Sequence, residues 1–495
     1  MRNSGVIPIL LSMGLGACTV GPSYEAPKTA VPPSYASPGD QGGATASAAQ
    51  WWAAFGDPVL DGLVSRALSG NLDVRQAAAR VRQARAQETA TRRSGDPQVN
   101  ASGQGGYNLL SKNALPSALS GLTGGGTGGS GGSTGLGIPG EGFATFQLGF
   151  DASWEIDLFG GQRRANESAA ARTEAAIWSR HDAEVTLVAE VANTYQQYRA
   201  LQRRIEIADA TITANRDLLD FIRVRAAKGL VTSLDERGQE RGVDQLLAQR
   251  EEMASDAQAR LHALGILLGL APAALSAELA SAPSAAPAAI TVPAGLPSDL
   301  LQRRPDIRSA ERQLAAATAD IGVATADLYP KFSLTGALQL AARSLSNIFS
   351  ADSIQASGAG RLSLPLLGRG EKKATIQVRE AEADEALLVY QGKVLGALRD
   401  VEDALTRLAA DRARTSYLRA SAAAAQDSAA TADVRYRHGL TAYLDVLEAQ
   451  QTLFSARDAL AQAEAATAQD VVALYKALGG GWDERRMKEK EEPNG

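Results

Sequence analysis

Residues 144–156 read ATFQLGFDASWEI, and their alternation governs how the rest of the chain is read. Phe146, Leu148, Phe150, Ala152, Trp154 and Ile156 share one face of an extended chain, while Thr145, Gln147, Asp151, Ser153 and Glu155 share the other. A period of two over about 11 residues suits a tilted strand that crosses a bilayer with its apolar face toward lipid. Phe332, Leu334, Leu338 and Leu340 repeat the pattern opposite Ser333, Thr335 and Gln339. Val99, Ala101, Tyr107 and Leu109 give a glycine-interrupted version, and Leu362 and Leu364 end a fourth. Half-buried soluble hairpins would alternate in the same way, so no single strand decides the matter. Four strands cannot close a barrel in lipid, because open edges leave backbone groups unsatisfied. If these strands span a membrane, several chains share one barrel, and three chains give twelve strands.

Outward from the strands the chain is helical. Gln162 to Lys228 contains no Pro and no Gly and is dominated by Ala, Arg, Glu, Leu and Gln. About 67 residues at 1.5 Å each predict a helix of roughly 100 Å. Residues 371–437 are similar, their freedom from Pro and Gly interrupted only by Gly392 and Gly396. Ala-rich seams such as Ala422–Ala425 allow close helix approach.

The chain is also written twice. Gly229-Leu230 recurs as Gly439-Leu440, Leu234-Asp235 as Leu444-Asp445, and Leu268-Gly269 as Leu478-Gly479, all in one register. Asn71-Leu72-Asp73-Val74 aligns with Arg304-Pro305-Asp306-Ile307, and Pro97 with Pro330. Each half predicts a helical segment (58–94, then 298–327), two strands, and a long helix broken once at the Gly-Leu pair. The expected division is a signal peptide at 1–17, an N-terminal segment at 18–57, a first repeat at 58–270, a linker at 271–297, a second repeat at 298–482 and a polar tail at 483–495.

Composition narrows the function. Across 495 residues, 50 Lys+Arg against 55 Asp+Glu leave a net charge of −5, which argues against nucleic acid as a partner. One Cys excludes an internal disulfide framework, and 3 His and 4 Met leave little for a transition-metal site. Gly124-x-Gly126-x-x-Gly129 matches a dinucleotide fingerprint in form only, since no apolar strand precedes it and no helix follows. His181, His262 and His438 lack metal-ligand spacing, and no nucleophile-base motif is present. The chain is not expected to be an enzyme, nor to hold a dissociable cofactor.

The N-terminus carries an address. After Arg2, the apolar run Val6–Ala17 suits a signal peptide and is too short for a mature membrane helix. It ends at Leu15-Gly16-Ala17-Cys18, which resembles a bacterial lipobox whose cysteine is lipidated. Thr19 follows instead of Asp, so the outer membrane is the expected destination.

Several stretches carry a resemblance to one family. They are Trp51-Trp52-x-x-Phe55-x-Asp57-Pro58, Ala152–Gly160, Arg303-Arg304-Pro305-Asp306-Ile307, Ile321–Ala324, Tyr443–Gln450 and Leu474–Trp482. In this order they resemble the TolC-like outer-membrane efflux proteins, and most closely the lipidated NodT/OprM-type branch. The resemblance implies an α+β membrane protein: a homotrimer with a twelve-stranded outer-membrane β-barrel, four strands per chain, continued by a long periplasmic α-helical barrel. It implies a palmitate-bearing lipid on Cys18 and Phe146, Leu148, Phe150 and Trp154 facing outer-membrane lipid.

Residue by residue, Leu444, Asp445 and Glu448 match the inward-facing periplasmic constriction, and these positions fall on one helical face. Three copies of each carboxylate around an axis repel, so bound cations or basic partners must offset them. Gln451 stands where some relatives carry Arg, so a lock using that cation does not transfer. Asp235 holds the equivalent place in the first half, where a solvated tip carboxylate is an equally good account. The Gly229-Leu230 and Gly439-Leu440 turns resemble the tips that meet a periplasmic adaptor. The implied function is passive conduction of exported small molecules, with an adaptor and an inner-membrane pump of the resistance-nodulation-division type as the expected partners. The alternatives are a duct for protein secretion and a non-conducting, lipid-anchored coiled-coil scaffold.

Overall fold

A computed structural model of the chain describes residues 19–37, 48–109, 142–280, 290, 292, 295 and 297–482. The expected signal peptide, Cys18, the glycine-rich insert around Gly124, residues 281–289 of the 271–297 linker and the 483–495 tail lie outside the described residues. The chain divides into two compact units. One comprises Met1–Tyr24, Ala86–Ala170 and Ala315–Asp384; the other comprises Glu25–Arg85, Ala171–Leu314 and Glu385–Gly495.

The first unit contains one antiparallel sheet in the order β1-β2-β3-β4, with β1 Gln98–Leu109, β2 Gly142–Ile156, β3 Lys331–Ala342 and β4 Ile354–Ser363. Register places like with like: Phe150 lies between Ala101 and Leu338, and Leu148 between Gly103 and Leu340. On the opposite face Asp151 takes a hydrogen bond from Asn100 at 3.3 Å, and Gln339 Nε2 donates to Gln355 at 3.0 Å. One corrected expectation concerns Leu364: the strand ends one residue earlier, at Ser363, and Pro365 just beyond Leu364 has no N–H to add to a ladder.

The helices are α1 Pro58–Gly70, α2 Leu72–Ser94, α3 Gly161–Ala227, α4 Ser233–Leu267, α5 Ser276–Ala280, α6 Leu300–Arg303, α7 Pro305–Ala326, α8 Arg369–Arg437 and α9 Tyr443–Ala477. The segment expected as one helix over 58–94 is two. Asp57 caps α1 by accepting from Val59 N–H at 2.9 Å, with Pro58 in the first turn. Asn71 then stops α1 and caps α2, its Oδ1 accepting from Asp73 N–H at 2.8 Å and Val74 N–H at 3.1 Å. The second half breaks at the corresponding place, between α6 and α7, where Pro305 opens the new helix. Gly392 and Gly396, by contrast, do not interrupt α8, which runs unbroken for 69 residues. A helix pays about 1 kcal/mol for each glycine relative to alanine, and packing of the remaining residues outweighs that.

The second unit holds the main apolar core. Leu60, Leu63, Leu264, Leu279, Ile307 and Leu474 are fully buried there, each stabilising by about 1.5–3 kcal/mol relative to exposure. Further along α8, Ala422, Ala425 and Ala429 are buried at helical spacing while Ala423 and Ala424 face out. The alanine seam is therefore used on one side only.

Candidate functional site

Three places concentrate the residues singled out from the sequence. The first is the outward face of the sheet. Leu148, Phe150, Trp154, Leu334, Leu338, Ile354 and Leu362 are all exposed, and Phe146 is half-buried on the same side. A contiguous exposed apolar face of this extent marks an interaction surface. Trp154 also turns its indole Nε1 to donate to the Gly95 carbonyl at 3.1 Å, an apolar ring with one polar edge.

Just below β2 the chain that follows Cys18 is clamped. Val20 N–H donates to the Phe159 carbonyl at 3.1 Å, and Arg164 reaches the Val20 and Gly21 carbonyls at 3.3 Å and Ser23 Oγ at 3.2 Å. Gly160 has φ +81, and a Cβ there would lie 2.9 Å from Thr19 Cα, so a side chain would push the segment away. Phe159 stacks on Tyr329 with ring centroids 4.9 Å apart. The Ala152–Gly160 and Ile321–Ala324 stretches are thus used to seat residues 19–21. Cys18 itself lies outside the described residues.

The second place is the pair of helix-hairpin tips, both in the second unit. Each is a left-handed glycine closing a long helix. Gly229 (φ +71) and Gly439 (φ +75) let Leu230 and Leu440 N–H return to the carbonyls of Arg225 and Arg435 at 3.0 and 2.8 Å. Leu230 and Leu440 remain exposed. The return helices start differently. Thr232 caps α4 in a reciprocal box with Asp235. In the second tip Ala442 occupies the cap and the threonine has moved to Thr441, so Asp445 alone does the work. It accepts from Ala442 N–H at 3.1 Å and closely from Thr441 Oγ1, contacts that hold its carboxyl below the usual range.

Asp445 is therefore a helix-capping residue, and Asp235 is its twin, which gives that residue a concrete role. Leu444, Asp445 and Glu448 share the exposed face of α9, while Tyr443 and Val446 on the other face are buried.

Beneath the tips lies a polar knot with no local signature in the sequence. Gln239 is fully buried; its Nε2 donates to the backbone carbonyl and Oδ1 of Asn215 at 2.8 and 2.9 Å, and its Oε1 accepts from Tyr443 Oη at 2.7 Å. Asn215 Nδ2 donates in turn to Gln450 Oε1 at 3.2 Å. Burial, with Asp235 nearby, pushes the Tyr443 phenol up to about 12, so it stays a donor. The knot joins α3 and α4 of the first hairpin to α9 of the second. Leu218, Ile222, Tyr436, Tyr443 and Val446 pack around it. Farther along, Arg204 grips Asp458 with two bonds of 2.5 and 3.1 Å.

The third place is where the remaining recognition stretches meet. Trp51 stacks on Tyr475 at 5.0 Å, and the buried Asp57 accepts from Tyr195 Oη at 2.5 Å, whose oxygen accepts from Arg199 at 2.8 Å. Arg304 binds Asp306 through two bonds of 2.8 and 3.0 Å and the Ala477 carbonyl at 3.1 Å, and Trp482 Nε1 donates to the Arg303 carbonyl at 3.1 Å. A cavity of about 490 Å³ opens beside them, lined by Asp182, Arg304, Asp306, Asp400, Arg407 and Lys476 among others. Burial, with Asp306 nearby, raises Asp182. At Asp306 burial acts the same way, but the bonded Arg304 outweighs it and holds the carboxyl low. These stretches build a frame.

Among the described residues no group of three or more His, Cys, Asp or Glu is placed to hold a metal ion, and no helix is long and apolar enough to cross a membrane.

The sequence profile described as outer membrane efflux protein matches residues 63–270 and 296–480. The outer membrane protein OprJ of Pseudomonas aeruginosa is 31% identical over 485 residues, covering 97% of each chain. The pyoverdine export outer membrane protein OpmQ, from the same organism, is 34% identical over 438 residues, covering 88% of each. The solved structure of the outer-membrane channel OprN is similar with a TM-score of 0.82 at 34% identity, covering 94% of this chain and 100% of that one. With one four-stranded sheet, two long helical hairpins and both repeats matched by the profile, the chain belongs to the outer membrane efflux protein family.

Proposed function

We propose that this chain is the outer-membrane duct of a tripartite efflux system and conducts exported small molecules passively. The observation that carries this reading is the sheet, whose outward face is continuously apolar yet whose two edge strands are unpaired. Three copies would close it into twelve strands, with the helical hairpins assembled around a water-filled passage. A lipid on Cys18 would hold the N-terminus at the outer membrane, one residue before the clamped segment 19–21. Energy would come from an inner-membrane pump of the resistance-nodulation-division type through a periplasmic adaptor. The adaptor would engage the exposed tips at Gly229-Leu230 and Gly439-Leu440.

The periplasmic gate is assigned to Leu444, Asp445 and Glu448. They share the exposed face of a helix whose other face is tied into the Gln239 knot, so a gate built on them would be held by the knot. Rings of three carboxylates would favour cations and resist closure unless cations bind. The test is planar-bilayer conductance of the purified trimer. Asp445→Ala with Glu448→Ala is expected to raise conductance and relieve cation block while oligomeric mass and helical signal stay unchanged. Unaltered conductance and unaltered cation block would put the gate elsewhere, and a chain that never conducts would favour the lipid-anchored scaffold.

A further inference from the structure

Among the described residues the sheet is incomplete at its edges: β1 pairs only with β2, and β4 only with β3. In lipid such edges leave rows of backbone groups without partners. We propose that β4 of one copy pairs antiparallel with β1 of a second copy in one defined register, with Ser363 opposite Ser102. The pairing presupposes the shared barrel proposed above and goes beyond it by fixing which residues meet.

The internal repeat supplies the register. β1 and β3 are both 12 residues long and correspond end to end, Gln98 with Lys331 and Leu109 with Ala342. Within the hairpins Gln98 faces Ser153, and Lys331 faces Ser363, so Ser153 and Ser363 are equivalent positions of β2 and β4. The β2·β3 interface can then be carried onto β4 and the next β1. Ser153 opposite Thr335 becomes Ser363 opposite Ser102, and Leu148 opposite Leu340 becomes Gly358 opposite Tyr107. Phe146 opposite Ala342 becomes Ala356 opposite Leu109. Four strands per chain make β4 antiparallel to the next β1, so identical copies can continue the ladder.

Side-chain chemistry agrees with this register. On the outward face it sets large residues against small ones: Tyr107 on Gly358, Leu362 on Gly103, Leu109 on Ala356. The chain already does this internally, where Phe146 lies over Gly105 and Leu334 over Gly360. A Cβ built on Gly358 meets nothing within 4 Å, which leaves room for the Tyr107 ring. On the opposite face Arg361 meets Gln104 and Ser357 meets Asn108, polar on polar. A slip of one residue would turn every apolar side chain inward. A slip of two one way would set Gly358 and Gly360 on Gly105 and Gly103 and lose the large-on-small match; a slip of two the other way would keep it, with Tyr107 on Gly360, and is excluded by the repeat alone.

The experiment is disulfide trapping in the full chain, whose sole native cysteine is Cys18. Ser102→Cys with Ser363→Cys is compared with Asn100→Cys with Ser363→Cys, which reports the first two-residue slip, and with unmodified protein. Oxidation of the purified proteins is expected to link the first pair into covalent dimers and trimers about tenfold faster, because the Cβ atoms of directly opposed residues are close enough for a disulfide. Faster linking of the second pair, or no linking in protein of trimeric mass, overturns the register and leaves the barrel standing. Single-chain mass with no linking overturns the shared barrel, and the pairing with it.

Discussion

The core around Trp51 and the paired hairpin tips lie in the same compact unit but are held by different means. Around Trp51, residues from the N-terminal segment and from most of the helices bury one another, and the polar groups Asp57, Tyr195 and Arg199 are satisfied deep inside. At the tips five apolar residues and one buried glutamine do the holding, while Leu230, Leu440 and Leu444 stay exposed. Three of the six stretches by which the family is recognised, Trp51–Pro58, Arg303–Ile307 and Leu474–Trp482, fall in the first region, and one, Tyr443–Gln450, in the second. Those three report on a rigid frame, whereas the working surfaces proposed for gating and docking occupy the sparsely packed region, as expected for parts that move.

Four perturbations test that contrast. The largest effect should come from Trp51→Ala, which removes a ring stacked on Tyr475 and leaves a cavity worth about 3–5 kcal/mol. Heat-induced loss of helical dichroism should drop sharply, with the trimer lost alongside; a shift of only a degree or two would show the core is not the frame.

Next, Gln239→Leu keeps the volume but removes three hydrogen bonds, leaving the Tyr443 hydroxyl and the Asn215 Oδ1 without their Gln239 partner at a cost of about 1–3 kcal/mol. Its signature should be local: higher conductance, and faster amide exchange at the tips with the core still protected. Uniform loss of protection would make the knot part of the frame.

A third perturbation is pH. Burial, and then the Asp411 carboxylate beside it, push Asp470 up to about 6 from an ordinary 3.8. The folded chain therefore binds that proton more readily than the unfolded one, and stability contributed here falls as pH rises between those values. Melting at pH 5 should lie above melting at pH 7.5 by an increment that Asp470→Asn abolishes. An increment that survives the substitution would assign it to other groups.

The smallest effect separates the two tips. Thr232→Ala should cost about 1 kcal/mol at the start of α4. Thr441→Ala should cost less at the start of α9, because Thr232 Oγ1 accepts from the Asp235 N–H whereas Thr441 Oγ1 bonds the Asp445 carboxylate, and each aspartate keeps its own cap N–H in either variant. Amide exchange over the first turn of each helix would show the difference, and equal losses would contradict the asymmetric caps.

Much of the fold was legible in the residues, because its signals are local or periodic. Alternation at 146–156 gives a strand and its outward face, freedom from Pro and Gly gives α3, and the Gly-Leu pairs give both tips. Locality also set the errors. Asn71 reads as one more helical position, but its side chain turns back to cap α2. The capping of α9 by Asp445 went unread because its bond to a threonine one residue out of place has no standard spacing.

The sequence alone thus determined the duplication, the amphipathic strands, the helical hairpins and the family, each encoded in neighbours along the chain. Only the tertiary structure decided what ties these parts together. The Tyr443–Gln239 bond joins residues 204 apart and the Tyr195–Asp57 bond residues 138 apart. The seat of residues 19–21 against Gly160 and Arg164 spans a similar distance. Contacts between positions so remote leave no period, cap or spacing, since chain folding alone brings their side chains together.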